Sequence, residues 1–242
     1  MKKVFVKTKN VKQLISMMNR LKEREDGVPG MGLVYGEPGL GKTYAITWWA
    51  AQNDAILIRS ANLMSARWLL EEMVEELGEI PYNKFSDIFN QVISQLIKNP
   101  RTIIVDEMDY LTIDSRAVET LRDNDKTNVP IVLVRMGTAN KRLQRHKHLY
   151  DRLLEIIKFE PFSKQDITSI IDQLSEVQFT DCAKKLLYTR TNRFRQLVKT
   201  ISKAEQVAKS NGIKEIDGIT LKEVLKNDDA DAEEIELTNE NS

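Results

Sequence analysis

The chain has a single cysteine, Cys182, in 242 residues, so no internal disulfide can cross-link the fold. It also lacks any stretch approaching eighteen consecutive apolar residues, which argues against a membrane-spanning helix. The opening segment, MKKVFVKTKN, has no apolar run of the kind that directs export, and a cytoplasmic location is expected. No internal repeat is present. Cys182 falls in the helix-like stretch TDCAKKLLY, where a small buried side chain is expected rather than a nucleophile. An apolar content of 41% is enough to build a buried core.

Net charge is absent too, with 36 basic and 36 acidic residues, but the balance is uneven along the chain. From Asn227 onward, NDDADAEEIELTNENS carries seven acids and no Lys or Arg. Residues 1–226 therefore hold 36 basic against 29 acidic groups, a net of +7. Such a tail, residues 227–242, is expected to be solvated and disordered, or to compete with nucleic acid for a basic surface.

Short apolar runs alternate with helical periodicity through the first two-thirds of the chain. Strands are expected at Gly32–Tyr35, Ala55–Ser60, Thr102–Asp106, Ile131–Met136 and Leu154–Phe159, with helices over 42–51, 65–77, 84–98 and 114–124. A further helix is expected from Asn10, as N-cap, through Leu21. Strands joined by helical crossovers predict a parallel α/β sheet covered on both faces, here five-stranded and spanning residues 1–160. After Pro161 the pattern becomes helical only, over Ser163–Leu174, Thr180–Arg190, Arg193–Ser210 and Thr220–Leu225. Ser163-x-x-Asp166 and Thr220-x-x-Glu223 read as capping boxes. A small all-helical domain over 161–226 is expected. Trp48, Trp49 and Trp68 lie in helix-like stretches and are assigned to core or subunit packing rather than base stacking.

Gly36-Glu37-Pro38-Gly39-Leu40-Gly41-Lys42-Thr43 matches the phosphate-loop pattern and lies between a strand and a helix, where that loop must lie. Glycines let backbone N–H groups turn inward around phosphate oxygens, and the helix N-terminus adds its positive end. Lys42 is assigned to the β- and γ-phosphates and the Thr43 hydroxyl to Mg²⁺; Tyr44 completes the nucleotide-contacting stretch. Asp106 and Glu107 end an apolar strand sixty-four residues after Lys42. Asp106 would hold the metal and Glu107 would polarise the attacking water, which favours hydrolysis of ATP over phosphoryl transfer to another acceptor.

These two motifs, the strand leading into Gly137-Thr138-Ala139-Asn140, the box Tyr150-Asp151-Arg152-Leu153-Leu154 and the helical end together resemble an AAA+ ATPase. The resemblance implies a γ-phosphate sensor at Thr138 or Asn140. It also implies an arginine that reaches a neighbouring subunit's nucleotide, at Arg152 or alternatively Arg145. Asn192-Arg193-Phe194-Arg195-Gln196-Leu197 is similar to the family's second-sensor box and points to Arg195. This box departs from the family in Thr191 and in Arg193, which is the substitute for Arg195.

The finer pattern resembles the bacteriophage Mu B family of transposition ATPases. It is carried by Met31–Gly36, by Ile58-Arg59-Ser60-Ala61-Asn62-Leu63-Met64 with Arg67-Trp68-Leu69-Leu70, by Asp106–Leu111 and by Leu149–Leu153. That resemblance implies ATP-dependent helical filaments or rings on double-stranded DNA without strong sequence preference, delivery of target DNA to a DDE transposase, and a bacterial or phage-infected host cytoplasm. The alternative is a helicase loader or other remodeller that acts on a protein partner. Basic residues crowd the start (Lys2, Lys3, Lys7, Lys9, Lys12) and the segment after the fourth strand (Lys141, Arg142, Arg145, Lys147, Arg152). Arg67, Lys84 and Lys126, in loops beyond the strand ends, are the candidate DNA contacts.

Overall fold

The computed structural model describes residues 1–25, 27–61, 64–108, 127–137, 150–191 and 193–226. The chain divides into two compact units, Asn10–Glu160, and Met1–Lys9 together with the chain from Pro161 onward.

The first unit holds one parallel sheet of β1 (Met31–Gly36), β2 (Ile56–Arg59), β3 (Ile103–Asp106), β4 (Ile131–Met136) and β5 (Leu153–Phe159), ordered β2-β3-β4-β1-β5. Each strand expected from the sequence is present, with its ends moved by a residue or so. All four residues of β3 are buried because strands flank it and both faces are covered, whereas β5 alternates and leaves Leu154 and Ile156 exposed at the sheet edge.

Helices α1 (Lys9–Lys22), α2 (Lys42–Gln52), α3 (Ala66–Glu76) and α4 (Phe85–Lys98) cover the sheet. Met31 and Leu33 of β1 share a core with Leu69, Leu70 and Met73 of α3 and with Ile88 and Val92 of α4. Gly32, between them, faces the other way: a Cβ there would lie 2.8 Å from Leu21 Cδ1 and 3.3 Å from the end of Met17. Alternation along the strand therefore places α1 on the face opposite α3 and α4, and glycine permits its close approach. Leu14, Met17, Met18 and Leu21 form the buried stripe of α1. The helix expected over 114–124 lies outside the described residues.

Asn10 is not the N-cap that the sequence suggested, since α1 already includes Lys9. Its buried side chain instead clamps the chain beyond β5: Nδ2 donates to the Glu160 carbonyl at 2.8 Å, and the Glu160 N–H donates to Oδ1 at 3.1 Å. A long-range pair of this kind leaves no mark in local sequence. Arg20 adds a two-pronged pair with Glu155 that ties α1 to the edge strand.

The second unit contains α5 (Lys164–Leu174), α6 (Asp181–Arg190), α7 (Phe194–Ser210) and α8 (218–226). Ser163 and Asp166 form the expected capping box on α5. The second box is displaced. α8 begins earlier than Thr220, and Asp217 accepts from the N–H groups of Ile219 and Thr220 at 3.1 and 2.8 Å. Nor is the unit all-helical: β6 (Gln178–Phe179) and β7 (Glu215–Ile216) pair in parallel, and two-residue strands are too short to show a period.

Residues 1–9, assigned from the sequence to the α/β domain, pack here within the helical unit. Val6 joins its core, and Lys2 donates its N–H to the Leu174 carbonyl at 2.8 Å. The Met1 amine lies 2.7 Å from Glu205 and 2.8 Å from Glu176. Lys209 and that amine hold the Glu176 carboxyl at about 2, well below the usual carboxylate range. Cys182, expected to be buried, is exposed in the first turn of α6, where Ala183 and Leu187 supply the buried face. No helix among the described residues is long and apolar enough to cross a membrane.

Candidate nucleotide-binding site

The site grows from the carboxyl ends of β1, β2 and β3. The chain leaves β1 at Gly36 and enters α2 at Lys42, with Gly39 and Gly41 at φ 83° and 84°. Those left-handed values suit glycine and strain other residues, and they turn the loop's N–H groups toward one centre. Gly41 caps α2 without any side-chain hydrogen bond, and the first turn has no acidic residue. The helix end thus presents its donors and its positive dipole to an anion. Leu40 is buried and anchors the loop to the core, while Glu37 and Pro38 are exposed. The Lys42 ammonium donates to the carbonyls of Gly36 at 2.7 Å and Glu37 at 2.9 Å, so it stands at the mouth of the loop it closes. Tyr44 is exposed one residue beyond Thr43 in the first turn of α2.

Asp106 ends β3 and is 3% exposed. Its Oδ1 accepts the Glu107 N–H at 2.9 Å; its Oδ2 is buried with no hydrogen-bond partner among the described residues. A buried carboxylate oxygen left in that state is costly, and a divalent cation satisfies it. Asp106 therefore fits Mg²⁺, for which the Thr43 hydroxyl would be a second ligand. When bound, Mg²⁺ would neutralise charge on the phosphate oxygens. Among the described residues no group of three or more acidic, His or Cys side chains could hold a metal.

Glu107 adopts φ 56°, a left-handed backbone that is uncommon for a residue with a Cβ. Two bonds from the end of β2 hold it there. Ser60 donates its hydroxyl to the Glu107 carbonyl at 2.6 Å and its N–H to the Asp106 carbonyl at 2.9 Å. Ser60 is 1% exposed, and sequence reasoning missed its part here because nothing local links residue 60 to residue 107. A backbone of this kind costs on the order of 1–3 kcal/mol and persists only where its surroundings impose it. Its position directly after Asp106 marks Glu107 as the residue whose aim matters.

Ser60→Ala removes the hydroxyl and leaves a part-buried carbonyl without this donor, a cost of about 1 kcal/mol. We expect ATP turnover to fall roughly tenfold as the Glu107 carboxylate loses its aim, with ATP affinity within about twofold of the parent. Turnover equal to the parent's in a folded variant would contradict this role.

Gly137, the last described residue after β4, stands close to the loop: a Cβ there would be 2.8 Å from Glu37 Oε1. Thr138, Asn140, Arg145 and Lys126, each assigned a role from the sequence, lie outside the described residues, as does Asn192. Arg152 stands immediately before β5. Its neighbour Leu153 pairs with Met31 at the start of β1, and Phe159 pairs with Gly36 at the end. The length of β1, about 17 Å at 3.3 Å per residue, thus separates Arg152 from the phosphate loop of its own chain. Arg193 and Arg195 are exposed at the start of α7 in the second unit. Arg67 pairs with Glu71 at 2.7 Å and donates to the Asn83 carbonyl at 2.9 Å, which brings it beside Lys84 at the start of α4. Trp49 is buried, Trp48 half-buried and Trp68 exposed, with its indole N–H donating to Glu72 at 2.9 Å.

A phosphate loop after β1, an acidic pair after β3 and the strand order β2-β3-β4-β1-β5 together make this an AAA+ P-loop NTPase fold. Residues 24–143 match the AAA domain family. Among solved structures, it is similar to the ORC1 protein of Aeropyrum pernix in complex with DNA (TM-score 0.59, 14% identity, 93% of this chain and 66% of that one). It is similar also to the ORC2 protein of Aeropyrum pernix in its ADPNP–ADP complexes (TM-score 0.69, 15% identity, 93% and 68%). A third is CDC6P of Pyrobaculum aerophilum (TM-score 0.63, 16% identity, 89% and 66%). The chain thus spans about two-thirds of the length of these structures, and at such identities the likeness is one of fold. No curated protein sequence matches it.

Proposed function

We propose that this chain is an ATP-dependent DNA-binding ATPase that assembles on duplex DNA and delivers target DNA to a DDE transposase. The placement of Arg152 carries the assembly part of this reading. In this reading an arginine one strand length from its own phosphate loop acts on the nucleotide of another copy, so hydrolysis would depend on neighbours. In this reading Lys42 and the loop amides hold the triphosphate, Asp106 and Thr43 hold Mg²⁺, and Glu107 accepts a proton from the attacking water. Arg152, or Arg145 in its place, supplies a guanidinium to the adjoining site. Thr138 or Asn140 and Arg195 or Arg193 sense the phosphates. Arg67 and Lys84 remain candidates for DNA contact, together with Lys126.

The transposase partner rests on the sequence resemblance alone. A second reading is a helicase loader or other remodeller that acts mainly on a protein partner. ATP turnover measured with and without duplex DNA at two salt concentrations separates the two. The first reading expects strong stimulation that fades as salt rises, with filaments or rings in negative stain. Turnover indifferent to duplex, with no assembly on it, would favour the second.

A further inference from the structure

We infer that Trp68, Ile80, Tyr82 and Phe85, on α3, its connection to α4 and the start of α4, form an apolar seat for a second copy of this chain. That copy sets the Leu154 and Ile156 face of its β5 on the seat. The inference deepens the assembly reading above and rests on it. All six side chains are exposed, Ile80 at 84% and Tyr82 at 58%. At about 150–250 Å² per large side chain, the four of the seat leave on the order of 500 Å² of apolar surface in water, the upper end of what a monomer ordinarily carries. A standard interface covers about 800 Å² of each partner, so this surface is enough for the centre of one.

The seat is held in place. Gln91, buried in α4, donates its amide to the Ile80 carbonyl at 3.0 Å and accepts the Tyr82 N–H at 3.3 Å. Those two bonds keep residues 80–82 extended, and in an extended segment alternate side chains leave on one side. Ile80 and Tyr82 therefore project together. Arg67 donates to the Asn83 carbonyl at 2.9 Å, which brings the first turn of α3, with Trp68, toward the first turn of α4, with Phe85. A connection that only joined two helices would gain nothing from fixing apolar side chains in water with a buried amide. Side chains ordered in advance lose less entropy when a partner covers them.

The direction of assembly selects the occupant. In the reading above Arg152 acts on the nucleotide of the next copy, and filaments or rings repeat that contact head to tail. A head-to-tail contact joins two different surfaces, so every copy must present both. β2 is one edge of the sheet and β5 the other, and α3 follows from the β2 edge. Leu154 and Ile156 share a face of β5, two and four residues beyond Arg152. The two exposed apolar surfaces thus belong to opposite edges of one sheet, and the second begins beside the arginine. The Trp68 indole N–H already donates to Glu72, so a partner can cover the ring without stranding a donor. Arg67, Glu72 and Lys84 provide the polar rim that such a centre calls for.

The test uses the full chain in a Cys182→Ser background, with ATP, duplex DNA and a short bismaleimide. Mixed Tyr82→Cys and Ile156→Cys proteins should give cross-linked dimers that neither gives alone. In parallel, Ile80→Asp/Tyr82→Asp changes two exposed residues outside any helix or strand, so it should melt like the parent and bind ATP like it. Light scattering should show that it needs about 100-fold or more protein to assemble, the effect of charging the centre of an interface. Ile97→Asp, equally exposed on α4, should assemble like the parent. No cross-link in the mixture, self-cross-linking of Tyr82→Cys, or a double variant that assembles at the parental concentration would each overturn the inference while an assembling parent leaves the assembly reading intact. A double variant that assembles normally but binds duplex more weakly would assign the seat to DNA instead. A parent that never assembles would overturn both.

Discussion

Arg152→Ala should leave ATP binding intact and slow ATP hydrolysis by about 10³-fold or more, the range seen when an arginine finger is removed. Negative charge gathers on the transferred phosphoryl group as the bond to the leaving oxygen breaks, and a guanidinium, always protonated and planar, can meet two of its oxygens. Arg152 precedes the strand whose first residue pairs with Met31, whereas the phosphate loop begins where Gly36 pairs with Phe159. A side chain cannot cross the intervening strand length, so in the proposed mechanism the guanidinium acts on the nucleotide of a second copy. Complementation checks this: mixing Arg152→Ala with Glu107→Gln should restore part of the turnover, because some junctions then pair an intact arginine with an intact glutamate. Mixtures as inactive as their components would count against action between copies. Parental turnover in Arg152→Ala alone would transfer the role to Arg145.

Glu107→Gln should reduce turnover by about 10²–10⁴-fold, the contribution of a positioned general base, while ATP remains bound. Glutamine keeps the length and shape of the side chain but cannot take a proton from water. The backbone at φ 56°, the Ser60 hydroxyl on its carbonyl and the Asp106 carboxylate on its N–H are unaffected by the change, so the variant should fold and bind nucleotide like the parent. Because ATP then persists, any assembly that ATP supports should persist as well, and negative-stain images with ATP and duplex should show more and longer assemblies. Rapid turnover by Glu107→Gln would place the base elsewhere.

The strands were legible because each is a short apolar run between polar turns, and β4 at Ile131–Met136 was read to the residue. Lys42 and the Asp106–Glu107 pair were legible for a different reason: phosphate binding constrains neighbouring residues, and such constraints leave contiguous motifs. Contacts between distant residues left no such mark. The Ser60 hydroxyl on Glu107, the Asn10 clamp on Glu160 and the docking of residues 1–9 in the helical unit join positions 47, 150 and well over 100 apart, and no local pattern announces them. Thr220 misled because both Asp217 and Thr220 are good caps, and the bonds from Ile219 and Thr220 to Asp217 decide in favour of the earlier one. Cys182 misled because its neighbours look helical, while the buried stripe of α6 passes through Ala183 and Leu187 instead.

Nucleotide action in this chain requires a loop of backbone donors and one ammonium, between Gly36 and Thr43, to grip a magnesium triphosphate. Equilibrium binding of radiolabelled ATP in magnesium buffer, compared between the parent and Lys42→Ala, tests it most directly. We predict saturable binding at one site per chain that is weakened by chelating the metal and lost in a folded Lys42→Ala variant. Parent protein that retains no ATP, or a Lys42→Ala variant that retains as much as the parent, would contradict it.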